Sequence, residues 1–182
     1  MEHAARLGSW GELYVMLGTS SAALIGLLYV VTSLHLDEIV NNPASRRHAR
    51  SNSLYLIIMV VEAAVILTPQ SGLFLGIELA LLNLVGLAIP FRNILAILAD
   101  RRGAHRAGFA FHRSFIFVAE FVSGAVGGAV LALGSSWGLY LVTVSYVALL
   151  VSVTLNAWTI MVGIGETEKK KERSAGRMKK RT

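Results

Sequence analysis

Three carboxylates stand in stretches that are otherwise hydrocarbon. Glu62 lies in IIMVVEAAVIL (57–67), Glu78 in LFLGIELALLNLVG (73–86) and Glu120 in FIFVAEFVSGAV (115–126). An ionised side chain at mid-membrane costs roughly 2.5–3.5 kcal/mol on insertion scales, so such groups are expected to face protein or water rather than lipid. Acids at this depth are protonated and hydrogen-bonded across helices, hydrated in a cavity, or partnered by a mobile cation or proton. The first state serves assembly; the others serve permeation.

Pairing with cations is the simplest remedy, and cations are scarce. Arg92 and Arg113 are the only basic residues near the spans, and both belong at a membrane boundary. Arg113 is seven residues from Glu120 and on the same helical face, within reach of it. At about 1.5 Å per residue, Glu62 and Glu120 are expected at a similar depth, roughly 9–14 Å from the cytosolic face, with Glu78 roughly 7–8 Å from the outer one. Glu62 and Glu120 would then form an inner acidic element and Glu78 an outer one, with Asn83, Ser152 and Asn156 as further polar lining.

The elements that position these residues follow from composition. The hydrophobic fraction is 54%, the mean hydropathy +0.60 and the charged fraction 15%, against about 25% in an ordinary soluble domain. Apolar stretches long enough for a core of about 30 Å recur at 13–34, 53–68, 73–96, 114–133 and 137–164. The expected fold is all-α, an integral membrane bundle of five helices (1–165) followed by a basic tail (166–182). The second span is short and should continue below the membrane, because Asn42-Pro43 reads as an N-cap followed by proline in the first turn. That extension carries Arg46, Arg47 and Arg50.

Cations set the orientation. The connections around 35–52 and 97–113 are basic, and the tail holds eight Lys/Arg against three Glu, a net of +5 out of +6 for the whole chain. The connections TPQSG (68–72) and GSSWG (134–138) carry no charge. This predicts N-out, C-in, in the cell inner membrane.

Small and polar residues recur at helical spacing. Arg113, Glu120, Gly124 and Gly127 share a stripe, with Gly124-xxx-Gly128 a small-xxx-small pair that lets a neighbouring backbone approach. Ser145, Ser152, Asn156, Thr159 and Gly163 form another, and Gly18, Ala22, Gly26, Tyr29 and Ser33 a third. Pro90 removes an amide hydrogen bond from the Gly86 carbonyl, so the third span should bend there, as a packing kink or as a hinge.

Other functions find less support. His35, His48, His105 and His112 collect on the cytosolic side beside Asp37 and Glu38, but no HxxxH pair is present, so solvated loop histidines are expected and no metal site. The chain has no cysteine. Nothing resembles a nucleophile triad, a phosphate-cradling glycine loop or a zinc motif, so neither an enzyme nor a cofactor is expected. The N-terminal run is longer than a signal-peptide core and lacks a clear cleavage site. Lys169, Lys170, Lys171, Arg173, Lys179, Lys180 and Arg181 are dense enough to contact anionic headgroups, each contributing about 1 kcal/mol near the surface. Without aromatic interleaving, nucleic acid is not an expected partner.

The segment LIGLLYVVTSLHLDEIV (24–40) with the following RRHARSN resembles a group of small bacterial multi-pass membrane proteins, in which a first span ends in Ser-Leu-x-Leu before a short basic loop. The resemblance covers about the first third of the chain. It implies a bacterial inner membrane and carries over no functional residue. Two functions remain open from sequence. One is a homo-oligomeric pathway for cations or protons, lined by Glu62, Glu78, Glu120, Asn83, Asn156 and Ser152. The other is a non-conducting accessory or scaffold protein, in which those acids and Gly18, Gly26, Gly124 and Gly128 serve helix assembly and the basic face meets lipid or a partner.

Overall fold

The computed structural model describes residues 10–41, 43–99 and 104–179, and every element in them is helical. They are α1 (Gly11–Leu34), α2 (Leu36–Asn41), α3 (Pro43–Leu67), α4 (Gly72–Ala99), α5 (Ala104–Ala132) and α6 (Trp137–Lys179). Five of them are long and apolar enough to cross a membrane, with candidate spans Gly11–Leu34, Ser45–Leu67, Gly72–Ala96, Ser114–Ala132 and Trp137–Trp158. The chain is an all-α multi-pass membrane protein.

The second helix extends beyond its apolar run as expected: that run starts at 53, but α3 begins at Pro43 and is long and apolar enough to span from Ser45 onward. Proline in the first turn explains the start, since its missing amide has no intrahelical partner there in any helix; Asn42, the expected cap, lies outside the described residues. The α5–α6 connection is as tight as its composition implies. Gly134, at φ 88°, ends α5, with its amide on Leu131 O (2.9 Å) and the Ser135 amide on Val130 O (3.2 Å). This paired pattern needs a left-handed residue, which only glycine adopts without strain.

Contacts arrange the helices in a definite order. The α4–α5 pair is the most extensive, α5 packs next on α6, and α1 packs on α3. The α3 helix joins the two groups by touching both α4 and α6. Glycine makes the closest approaches possible. A Cβ on Gly76 would meet the backbones of Gly128 and Ala132, and one on Gly138 would meet those of Gly127 and Leu131. The core between them holds Tyr14, Tyr55, Met59, Leu79, Phe121, Val142 and Tyr146.

Aromatic residues mark both ends of the spans, as interfacial anchors do. Trp10 and Trp137 both pack on Tyr140, with ring centroids 4.7 and 5.5 Å apart. Trp158, also exposed, lies farther along α6 by about 32 Å, close to the thickness of a hydrocarbon core.

Candidate functional site

The polar interior falls into two groups. The first lies toward the uncharged connections. Glu62 is five residues before the end of α3, about 7–8 Å from it. Its Oε1 accepts a hydrogen bond from Asn83 Nδ2 at 3.2 Å, and the same nitrogen donates to Leu79 O at 2.9 Å. Asn83 fits because its neighbour on α5 is Gly124: a Cβ there would fall on the amide. Beside this pair, the Tyr146 hydroxyl donates to Met59 O (3.0 Å) and contacts Ser21 Oγ (3.0 Å), joining α6, α3 and α1 at one oxygen. Tyr14 pairs with Thr143 at 2.7 Å and packs edge-on against the Tyr146 ring.

The second group lies toward the basic connections. Ser152 Oγ donates to Glu120 Oε1 at 2.6 Å, and Ser145 Oγ donates to the Glu120 carbonyl. One turn beyond Ser152, Asn156 Nδ2 donates to Asn52 Oδ1. Asn93 Nδ2 donates to Ser51 Oγ at 3.2 Å. Tyr55 stacks on Phe117 (4.6 Å) and lies against Phe121 (5.6 Å) beside this group. Glu120 Oε2, Asn52 Nδ2 and Asn156 Oδ1 are buried with no hydrogen-bond partner among the described residues, so the group keeps one donor and two acceptors in reserve.

These positions adjust the expected depths. Glu62 bonds to Asn83, and Asn83 packs on Gly124, one turn along α5 from Glu120 toward the uncharged connections. The two acids are therefore offset along the bundle by about 6 Å rather than level. Both are buried, and the neighbours that bond to them are uncharged. The Arg113 side chain, expected near Glu120, lies outside the described residues. Glu78 is exposed on α4 and accepts from Gln70 Nε2 at 2.8 Å, in the connection just before it. It shares no site with the other two acids.

The stripes divide in the same way. Gly124, Gly127 and Gly128 on α5 and Ser145, Ser152 and Asn156 on α6 face the interior as expected. On α1 only Gly18 does so, against the Ala63 methyl. Gly26 meets nothing within 4 Å, and Ala22, Tyr29 and Ser33 are exposed. Helix α1 instead buries Tyr14, Leu17 and Ser21, since a hydroxyl with a partner and an aromatic ring gain more from burial than a bare glycine face. Gly86 and Pro90 are buried within one continuous helix, and the Phe121 ring occupies the space beside Gly86, so the turn that Pro90 interrupts is packed from one side. Lys169, Lys170, Lys171, Arg173 and Lys179 fall on α6, whose side chains there lie outside the described residues, as do Lys180 and Arg181 entirely. Among the described residues no three His, Asp or Glu side chains group as a metal ion would require.

No protein-family model, curated protein or solved structure matches this chain. Its function is therefore argued from the site alone. Sequence reasoning missed Tyr14, Ser21, Asn52 and Tyr146. A signal existed for the tyrosines: each is a large side chain with a hydroxyl inside an apolar run, and such a hydroxyl usually finds a partner when buried.

Proposed function

We propose that this chain is a non-conducting membrane scaffold or accessory protein of the bacterial inner membrane. Its buried acids and glycines hold one helical bundle together, and its basic face meets anionic lipid headgroups or an acidic partner. One observation carries this reading. Each buried carboxylate is hydrogen-bonded inside the protomer by an uncharged side chain of another helix, Glu62 by Asn83 and Glu120 by Ser152. Acids engaged in this way link α3 to α4 and α5 to α6. One protomer buries both of these acids and their partners Asn83 and Ser152 at least in part. Basic residues on one set of connections and uncharged residues on the other support a cytosolic basic face.

The test is flux through purified protein in liposomes. Cation and proton flux should match protein-free vesicles, and Glu62→Gln and Glu120→Gln should lower stability without altering flux. Flux well above background that falls in either variant would overturn the reading in favour of conduction.

The second reading, a proton path, draws on a different observation. Tyr14, Thr143, Ser21, Tyr146 and Glu62 place hydroxyl and carboxyl groups close together in the half nearer the uncharged connections. The same liposomes, loaded with a pH-sensitive dye, decide it: Tyr146→Phe should slow proton entry if that reading holds.

A further inference from the structure

Helices α1 and α6 meet through Tyr14–Thr143 and Ser21–Tyr146. Toward the basic connections they border an apolar groove of about 240 Å³. Leu28 and Val31 of α1, Leu56 of α3 and Val153 of α6 line it, and Ile39 of α2 lies among the lining residues at the basic end. The threonine hydroxyls in the lining are already used, Thr32 on Leu28 O (2.7 Å) and Thr154 on Leu150 O (2.8 Å). The walls therefore offer a ligand dispersion and apolar burial, and the one further side-chain donor in the lining is the Trp158 indole at the rim.

Size limits the occupant. A helix with side chains is about 10–12 Å across, too wide for this space, and drug-sized pockets run to roughly 300–1,000 Å³. One extended acyl chain suits it. Exposed Leu27 and Trp158 sit at the rim, in a segment that lipid surrounds. Charge selects the headgroup. Ala49 lines the groove, and Arg46 and Arg50 lie within one turn of it on α3. Both are exposed, and neither has an ion pair among the described residues. Trp158 places this end at headgroup level, where tryptophan concentrates.

We propose that the groove holds one acyl chain of an anionic glycerophospholipid, with its phosphate on Arg46 and Arg50. This deepens the reading of the basic face as lipid-binding, and it moves the specific contact from the C-terminal lysines to α3. It is independent of whether the bundle conducts, so its failure and that of the non-conducting reading are distinguishable.

Trp158 is the built-in reporter, because the other tryptophans, Trp10 and Trp137, lie at the far end of the spans. The full chain carrying Trp10→Phe and Trp137→Phe is reconstituted in phosphatidylcholine vesicles with phosphatidylglycerol or phosphatidylcholine bearing brominated chains, which quench nearby indole. Half-maximal quenching by the brominated phosphatidylglycerol is expected at roughly tenfold lower mole fraction or less. Arg46→Gln with Arg50→Gln should abolish the difference, whereas Lys169→Gln, Lys170→Gln and Lys171→Gln together should leave it. Equal quenching by the two lipids overturns the proposal, as does a difference that survives loss of both arginines or disappears with the tail lysines. Native mass spectrometry of the unaltered chain gives a second measurement that does not depend on the tryptophan variants. One phosphatidylglycerol should stay bound, and Ala157→Phe, which fills the groove, should release it; retention at the wild-type level contradicts the proposal.

Discussion

Gly124 is the residue on which the Glu62 site depends, and Gly124→Ala tests that dependence. A Cβ at this position would lie within 3.0 Å of Cγ, Oδ1 and Nδ2 of Asn83. Asn83 would have to withdraw, and its 3.2 Å bond to Glu62 has little slack before it passes the range of a real hydrogen bond. Overpacking costs about 1–3 kcal/mol, and a buried group that loses its partner costs about 1–3 kcal/mol more. Alanine returns roughly 1 kcal/mol of helix propensity over glycine. The net loss should be about 3 kcal/mol. In an Asn83→Ala background the amide is gone, so the same substitution should be neutral or gain up to about 1 kcal/mol. The double-mutant cycle should then show coupling of about 2 kcal/mol or more, well above the near-additivity of independent sites. Reversible unfolding in mixed detergent micelles, followed by tryptophan fluorescence, measures all four proteins. A neutral Gly124→Ala, or an equal cost in both backgrounds, would refute the reasoning.

Further outcomes follow from the same contacts. Gly76→Val or Gly128→Val should prevent recovery of monodisperse protein, since each puts side-chain atoms into the backbone of the facing helix, whereas Gly26→Ala should change stability by no more than about 1 kcal/mol; size-exclusion chromatography separates these outcomes. Tyr146→Phe removes the hydroxyl shared by Ser21 and Met59 and should cost about 0.6–1.7 kcal/mol, from the average to the largest value found for hydrogen bonds between membrane helices. Adding Ser21→Ala should cost less in that background than alone. Glu78→Gln keeps an acceptor for the exposed Gln70 contact and should shift stability by less than about 0.5 kcal/mol.

Much of the fold was legible because its signals are collective. Five long apolar runs separated by charge or turn residues admit few arrangements in a membrane, and Asn42-Pro43 marked the start of α3. The site was legible only in part, for a specific reason. Helical spacing finds which residues share a face, so Glu120 with Gly124 and Ser152 with Asn156 were grouped correctly. It does not say which neighbour that face meets. The Glu62–Asn83 contact depends on how far α3 extends and how α4 and α5 close around Gly76 and Gly128. The α1 stripe failed because glycine spacing permits close packing without requiring it, and at Gly26 no helix approaches.

The central claim is that Glu62 and Glu120 are packed inside the protomer rather than exposed to a water-filled path. The chain has no cysteine, so a single introduced thiol is its only one, and reaction with a membrane-impermeant thiol reagent reports water directly. Glu62→Cys and Glu120→Cys are examined in vesicles with the reagent on both sides, with the exposed connection variant Thr68→Cys as the reactive reference. The account predicts rapid labelling at 68 and at least a hundredfold slower labelling at 62 and 120 in monodisperse protein. Labelling at 62 or 120 at a rate near that of 68 would contradict it.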